Sequence, residues 1–166
     1  DAPFGTPIRH GMTVGEIATL VNEEWMDPKV ELTVVKVPGL TREMTFEESG
    51  YPWVFPSPNM PTIDTAIVYP GFCVFEGTNL SEGRGTTRPF ELFGHPMLKA
   101  NQWQDQLNQV LIDAGCPHIR LRPHIFVPTF EKWSGATVHG YQIHFTPARQ
   151  HPKEASGTSS RQEKFE

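Results

Sequence analysis

The chain has 166 residues, 37% of them hydrophobic and 20% charged, with a formal net charge of −5. That length suits one domain or a domain with a small appendage, and it can bury roughly 70% of its unfolded surface without staples. A mildly acidic balance argues against electrostatic capture of nucleic acid or an anionic bilayer, and no window approaches the roughly 20 apolar residues of a membrane span.

In chain order, residues 1–20 show no basic start and apolar core, so no signal peptide is read there. Because the chain begins with Asp1, upstream sequence is expected to have been removed. "MTVGEIATLVNEEW" at 12–25 predicts a helix. Thr13 and Glu16 have capping-box spacing, and Val14, Ile17, Leu20, Val21 and Trp25 fall on one face, with Asp27-Pro28 as the stop. "VELTVVKV" at 30–37 is rich in β-branched residues and predicts a strand closed by Pro38-Gly39. "YPWVFPSPNMPT" is a rigid extended connector, because each residue before a proline is pushed out of helical geometry. Thr62 then caps a short helix, "IDTAIVY", halted by Pro70-Gly71.

Beyond a polar loop, "NQWQDQLNQVLIDAG" at 101–115 carries a 3.6-residue stripe of Trp103, Leu107, Val110, Leu111 and Ala114, with Asn101 as start signal and Gly115 as left-handed stop. "HIRLRPHIFVPTF" reads as a strand with a proline break, and "TVHGYQIHF" as a second strand with Tyr141, Ile143 and Phe145 on one side. The fold class expected is α+β, a mixed sheet packed with two main amphipathic helices and a long irregular polar loop. The folded domain is placed at 1–147. Residues 148–166 have almost no apolar side chains and are expected to be a mobile polar tail.

Cys73 and Cys116 both lie in apolar surroundings and read as buried thiols or a disulfide, a choice left open by the sequence. No CxxC, HExxH or tight His/Cys cluster points to metal, and no cofactor is expected. His118, His124, His139 and His144 come near one another only if their strands pair.

The loop between the two apolar runs, "YPGFCVFEGTNLSEGRGTTRPFE" at 69–91, is where chemistry concentrates. Gly77, Gly83 and Gly85 allow tight backbone and close approach. Asn79, Ser81, Thr86 and Thr87 offer neutral hydrogen-bonding groups, and Glu76, Glu82 and Glu91 are candidate acids or bases. Arg84 and Arg88 have the forked geometry that grips carboxylates. Neither a P-loop nor a dinucleotide glycine pattern is present. Such a set suits a polyhydroxylated ligand bearing an acid. An ordinary surface loop with ion pairs worth under about 1 kcal/mol accounts for the same residues.

"RHGMTVGEIA", "WVFPSPNMPT", the 69–91 segment and "FGHP", in this order, resemble the carboxy-terminal part of the bacterial exo-β-N-acetylmuramidase family, over roughly residues 5–146. The resemblance implies a glycoside hydrolase that removes N-acetylmuramic acid from non-reducing ends of peptidoglycan fragments during cell-wall recycling, at a periplasmic or secreted address. It implies a partner Rossmann-like domain that this chain lacks, with the cleft between the two, and an exposed apolar face there that favours homo-oligomers. After His144 the family's pattern gives way to the polar tail.

By this resemblance Arg84 reads the lactyl carboxylate of the sugar while Asn79, Ser81, Gly85 and Thr86 orient it. His10 and Asn59, in the first two shared motifs, are further substrate-binding candidates. Tyr51 and Trp53 are weighed as sugar-stacking rings against plain core packing. Glycoside cleavage needs an acid and a second carboxylate about 5 Å apart in retaining enzymes and wider in inverting ones. Glu76 and Glu91 are the catalytic candidates, with an essential carboxylate also expected on the absent part, so the chain alone is expected to be inactive. The competing readings are a non-catalytic carbohydrate-binding or interaction domain, and a phosphate- or nucleotide-binding module, which the loop's lack of lysine disfavours.

Overall fold

The computed structural model describes residues 5, 7 and 9–145. The tail expected at 148–166 lies outside the described residues. The chain divides into two compact units, Asp1–Val74 and Phe75–Glu166.

In the first unit, α1 spans Val14–Glu24 and opens with the capping box the sequence predicts. The Thr13 hydroxyl accepts from the Glu16 amide at 3.2 Å, and the Thr13 amide donates to the Glu16 carboxylate at 2.7 Å. The strand expected at 30–37 is absent: the segment has no regular secondary structure and joins no ladder. β-branched residues favour extended backbone, yet a strand exists only where a partner supplies hydrogen bonds. Here the partner is a side chain. Asn22 of α1 donates its amide to the Val30 carbonyl (3.0 Å) and accepts the Val30 N–H (2.9 Å). Val34 packs so close to Gly15 that a Cβ there would meet its methyl group.

The second helix of this unit, α2 (Ile63–Phe72), is capped by Thr62 as expected but continues through Pro70. Pro70 has no N–H to give to the Ala66 carbonyl, and from Cys73 the helix gives way to the 3₁₀ segment Cys73–Gly77. Trp53 is half-buried, edge-on to Phe46 at 5.1 Å, with its indole N–H on the Met60 carbonyl (3.2 Å), which is a packing role. Tyr51 is exposed.

The second unit is built on a three-stranded sheet of β1 (Leu92–His95), β2 (Ile119–Phe126) and β3 (Val138–Phe145), in the order β1-β3-β2. The α+β class holds, and among the described residues every pairing is antiparallel, where the sequence predicts a mixed sheet. The 30–37 segment, which would have been a further strand, does not join it. Leu92, Phe126 and Val138 form a buried cluster. On the opposite face Tyr141, fully buried, donates its hydroxyl to the Ala100 carbonyl at 2.7 Å, and burial pushes that phenol above its ordinary value.

Helix α3 (Ala100–Asp113) begins one residue before the expected Asn101, with Lys99 at the cap position and no side-chain cap, and Gly115 follows it at φ 76°. It covers the open edge of β2. The Asn108 amide donates to the Leu121 carbonyl (3.0 Å) and accepts the Leu121 N–H (2.8 Å). That bond also explains why β2 runs unbroken through Pro123, against the expected break. Leu121 turns its N–H away from β3, and so does the residue two places on, where a proline has no ladder bond to lose. Asn22 and Asn108 thus use the same device in the two units.

Replacing Asn108 by alanine leaves both Leu121 groups without their partner and is expected to destabilise the unit by about 2 kcal/mol, at about 1 kcal/mol per lost bond. Asn108→Asp keeps the acceptor for the Leu121 N–H but sets an anionic oxygen against the Leu121 carbonyl, so it should lose no less than the alanine variant. Urea denaturation midpoints of the two variants check the order.

Candidate functional site

The 75–91 loop is not a floppy connector, because a second loop fills its centre. Lys132, from the 129–135 turn, sends its ammonium group to the carbonyls of Phe75 (2.9 Å), Glu76 (3.0 Å) and Leu80 (3.2 Å) and to the carboxylate of Glu82 (3.0 Å). Glu82 is only 4% exposed and has Arg84 on its other oxygen at 3.4 Å. A buried carboxylate needs such partners, since an unpaired one would carry several kcal/mol of desolvation. Further pins are the Thr129 N–H and hydroxyl, both on the Gly85 carbonyl at 2.9 Å, and the Trp133 indole N–H on the Asn79 carbonyl at 2.7 Å.

The backbone of the two loops is strained where they meet. Phe90, Glu131 and Trp133 hold left-handed φ of 62°, 63° and 63° without being glycine. Each such residue costs about 1–2 kcal/mol, so the surrounding contacts must hold it in place. Gly85 sits at φ 77° and a Cβ there would lie 2.7 Å from the amide nitrogens of Thr129 and Phe130, so glycine is required by the approach of the second loop.

Arg84 is partly exposed, with Glu76 on its Nη2 at 2.6 Å and the Phe90 ring under its guanidinium at 5.4 Å. Burial works against its charge, but the Glu76 hydrogen bond and the charges of Glu76, Glu82 and Glu131 hold it above its ordinary value. Its Nε is a buried donor without a hydrogen-bond partner; the Glu82 oxygen at 3.4 Å is within ion-pair range only. Glu76 is the outermost of the three carboxylates, with a side chain 40% exposed, whereas Glu91 is buried and takes Nη1 of Arg88 at 3.0 Å.

Ser81 is buried: its main chain bridges Gly94 of β1 and its hydroxyl accepts the Gly83 N–H at 3.2 Å. The Thr86 hydroxyl donates to the Gly83 carbonyl at 2.6 Å, and Asn79 is exposed at the rim. The loop therefore brings Glu76, Asn79, Ser81, Arg84, Gly85, Thr86 and Glu91 into one assembly. His10, exposed, with Nδ1 accepting the Met12 N–H at 3.1 Å, and Asn59, half-buried, belong to the Asp1–Val74 unit.

Lys132 and Trp133 are the residues that sequence reasoning missed. Within "TFEKWSG" they look like an ordinary turn, and the link from Lys132 to Glu82 spans 50 positions with no local pattern to betray it. The lysine whose absence disfavoured a phosphate site is thus supplied from elsewhere, but three carbonyls and a carboxylate already occupy it. His124 and His139 lie at one end of the sheet beside a hollow of about 660 Å³ at the start of α3, whose lining includes none of the 75–91 residues. Burial first, then the Arg122 charge, push His124 below its ordinary value. Among the described residues no cluster of three or more His, Cys, Asp or Glu is arranged to hold a metal, and both cysteines are free thiols.

Residues 67–159 match the family description "Exo-beta-N-acetylmuramidase NamZ, C-terminal", and residues 2–64 match the corresponding N-terminal description. The sequence resemblance assigned nearly all of this span to the C-terminal part; the two matches meet between residues 64 and 67, close to the division between the two structural units. A curated relative, the peptidoglycan β-N-acetylmuramidase NamZ of Bacillus subtilis (strain 168), is 44% identical over 143 residues, 86% of this chain and 33% of that protein. Two solved structures of DUF1343 family proteins from Bacteroides fragilis NCTC 9343 are also similar. One has a TM-score of 0.73 at 28% identity, covering 86% of this chain and 37% of that one; the other has 0.59 at 29%, covering 85% and 35%. The chain spans about a third of the length of these relatives. With the C-terminal description matched across more than half of its residues, the chain belongs to the exo-β-N-acetylmuramidase NamZ family.

Proposed function

We propose that the Phe75–Glu166 unit supplies one wall of the sugar-binding cleft in a peptidoglycan-processing glycoside hydrolase, one that releases N-acetylmuramic acid from non-reducing ends in cell-wall recycling. The observation that carries this reading is the Lys132-centred lock on the 75–91 loop. Strained, glycine-punctuated backbone is held in one shape while Asn79, Arg84 and Glu76 remain at or near the surface. A loop held rigid in advance binds a small rigid ligand without a large ordering penalty.

Arg84 is proposed to take the lactyl carboxylate. Its outer nitrogen already holds a carboxylate, that of Glu76, in a pair exposed enough to be worth only about 0–1 kcal/mol. A ligand carboxylate exchanging with Glu76 therefore meets little resistance, and the exchange frees Glu76 for proton transfer. Glu91, buried against Arg88, fits a wall or helper role better than that of an acid exposed to substrate. The second essential carboxylate is proposed to come from the part of the family that lies outside this chain. That Glu76, Glu82 and Glu91 each hold a cationic partner favours, as a second reading, a carbohydrate-binding unit without catalysis.

The test is a release assay with a chromogenic N-acetylmuramide, run beside calorimetric titrations with N-acetylmuramic acid and N-acetylglucosamine. Binding of the muramyl sugar is expected, with little turnover; binding of neither sugar overturns the cleft reading. Arg84→Ala should weaken N-acetylmuramic acid about 30-fold, the value of a charge-assisted bond, and N-acetylglucosamine less than about 3-fold. Equal losses for the two sugars would remove Arg84 from the lactyl role.

A further inference from the structure

We infer that Trp133 is the stacking platform of this cleft, a sugar subsite on the 129–135 loop that takes the apolar ring face of a hexosamine. The inference rests on the cleft reading above and extends it to a loop far from the 75–91 segment in sequence.

Single exposed aromatic residues are common on protein surfaces and need no explanation of their own. Trp133 differs in being both exposed and fixed. The residue is 38% exposed, yet its indole N–H is tied to the Asn79 carbonyl at 2.7 Å and its ring meets the His95 ring at 4.6 Å and 81°. Its backbone holds φ 63°, a region where glycine would be comfortable and a tryptophan costs about 1–2 kcal/mol. The adjoining Lys132 points inward and cannot turn out without leaving Glu82. The chain thus maintains strain at two neighbouring positions, Glu131 and Trp133, that delivers one side chain to the centre of the loop and the next to its rim.

A pyranose has one broad surface of C–H groups and a circumference of hydroxyls. It needs a flat apolar partner with polar groups at the edge of that partner. A pinned indole beside exposed Asn79 is such an arrangement, and an aromatic ring with few rotatable bonds loses little entropy on binding. The ring carbons are the same in every hexosamine, so the Trp133 contribution is indifferent to the lactyl group. That separates it from Arg84, whose contribution is selective.

The experiment titrates the 166-residue chain and its Trp133→Phe and Trp133→Leu variants with N-acetylmuramic acid and N-acetylglucosamine. In parallel, the Trp133 indole ¹H–¹⁵N signal, identified by its loss in Trp133→Phe, is followed in the parent. Trp133→Leu is expected to weaken both sugars by the same factor, roughly 10-fold, and Trp133→Phe to stay within about 3-fold of the parent. The parent's indole signal should move on saturation. Unchanged affinity in Trp133→Leu, or an indole signal unmoved at saturating sugar, overturns the platform while the cleft reading stands. A parent that binds neither sugar overturns both. If Trp133→Leu does not fold, as circular dichroism would show, the parent's indole signal decides.

Discussion

Lys132→Met is expected to destabilise the Phe75–Glu166 unit by about 3 kcal/mol and to release the 75–82 backbone. Methionine keeps most of the stem's volume, so the loss isolates the ammonium group. Four acceptors depend on it: the carbonyls of Phe75, Glu76 and Leu80 and the Glu82 carboxylate. The decisive one is Glu82. At 4% exposed it cannot turn to solvent, and the remaining cation, Arg84, stands at 3.4 Å. Removing one partner of a buried ion pair costs about 3–5 kcal/mol, and the lower figure applies because the Lys132 side chain is 26% exposed. Glu82→Gln in the Lys132→Met background removes the stranded charge and should restore roughly half of the loss, so the double-mutant cycle gives a coupling above about 1 kcal/mol. Urea denaturation measures the stabilities. Faster amide exchange at Ser81 and Leu80 reports on the loop. A loss below about 0.5 kcal/mol with unchanged exchange would show that the 75–82 backbone keeps its shape without Lys132.

The division between what was legible in the sequence and what was not follows the distance over which each feature is decided. The capping box of α1 and the Thr62 cap of α2 are settled within three residues, and both occur as the residues indicate. The alternation through Tyr141 and Ile143 is equally local, and β3 lies where it predicts. Residues 30–37 have the composition of a strand, but whether they pair is decided elsewhere, and Asn22 takes the place of a neighbouring strand at Val30. Pro123 reads as a break because a proline's missing N–H matters only on the bonded side, and sequence does not reveal which side β2 leaves open. The loop behaves likewise. Its glycines and its Glu76–Arg84 pair, eight positions apart, suggest a shaped polar segment, whereas the groups that fix its shape, Lys132 and Trp133, arrive from 50 or more positions away. The motifs behind the family resemblance drew attention to the segment; the partners that lock it became visible only with the fold.

Gly140→Ala is expected to cost more than about 3 kcal/mol or to prevent folding, although alanine in place of a strand glycine ordinarily gains roughly 0.5–1 kcal/mol. The sign reverses because Gly140 lies directly opposite Gly94 in the β1–β3 ladder. A Cβ on Gly140 would overlap the Phe93 carbonyl oxygen and stand 2.7 Å from the Gly94 Cα, and a Cβ on Gly94 would overlap the His139 carbonyl. All these atoms are main chain, so relief requires β1 to move as a whole. That movement has a second consequence. On its other edge β1 holds the 75–91 loop of the candidate site, with the Ser81 N–H on the Gly94 carbonyl at 2.8 Å and the Gly94 N–H on the Ser81 carbonyl at 3.0 Å. Displacing β1 therefore disturbs Ser81, and through Glu82 the lock formed by Lys132, even though Gly140 touches none of the polar site residues. The expected signature is a joint loss: a lowered denaturation midpoint together with faster exchange of the Ser81 amide. Gly71→Ala is the matched control, since Gly71 lies in α2 with nothing within 4 Å of a Cβ and no positive φ, and it should gain about 0.5–1 kcal/mol from helix propensity. Gly140→Ala as stable as the parent would mean that β1 and β3 can separate by about an ångström or more at little cost, enough to relieve the 1.9 Å approach to the Phe93 oxygen, and the 75–91 loop would then rest on Lys132 without help from the glycine pair.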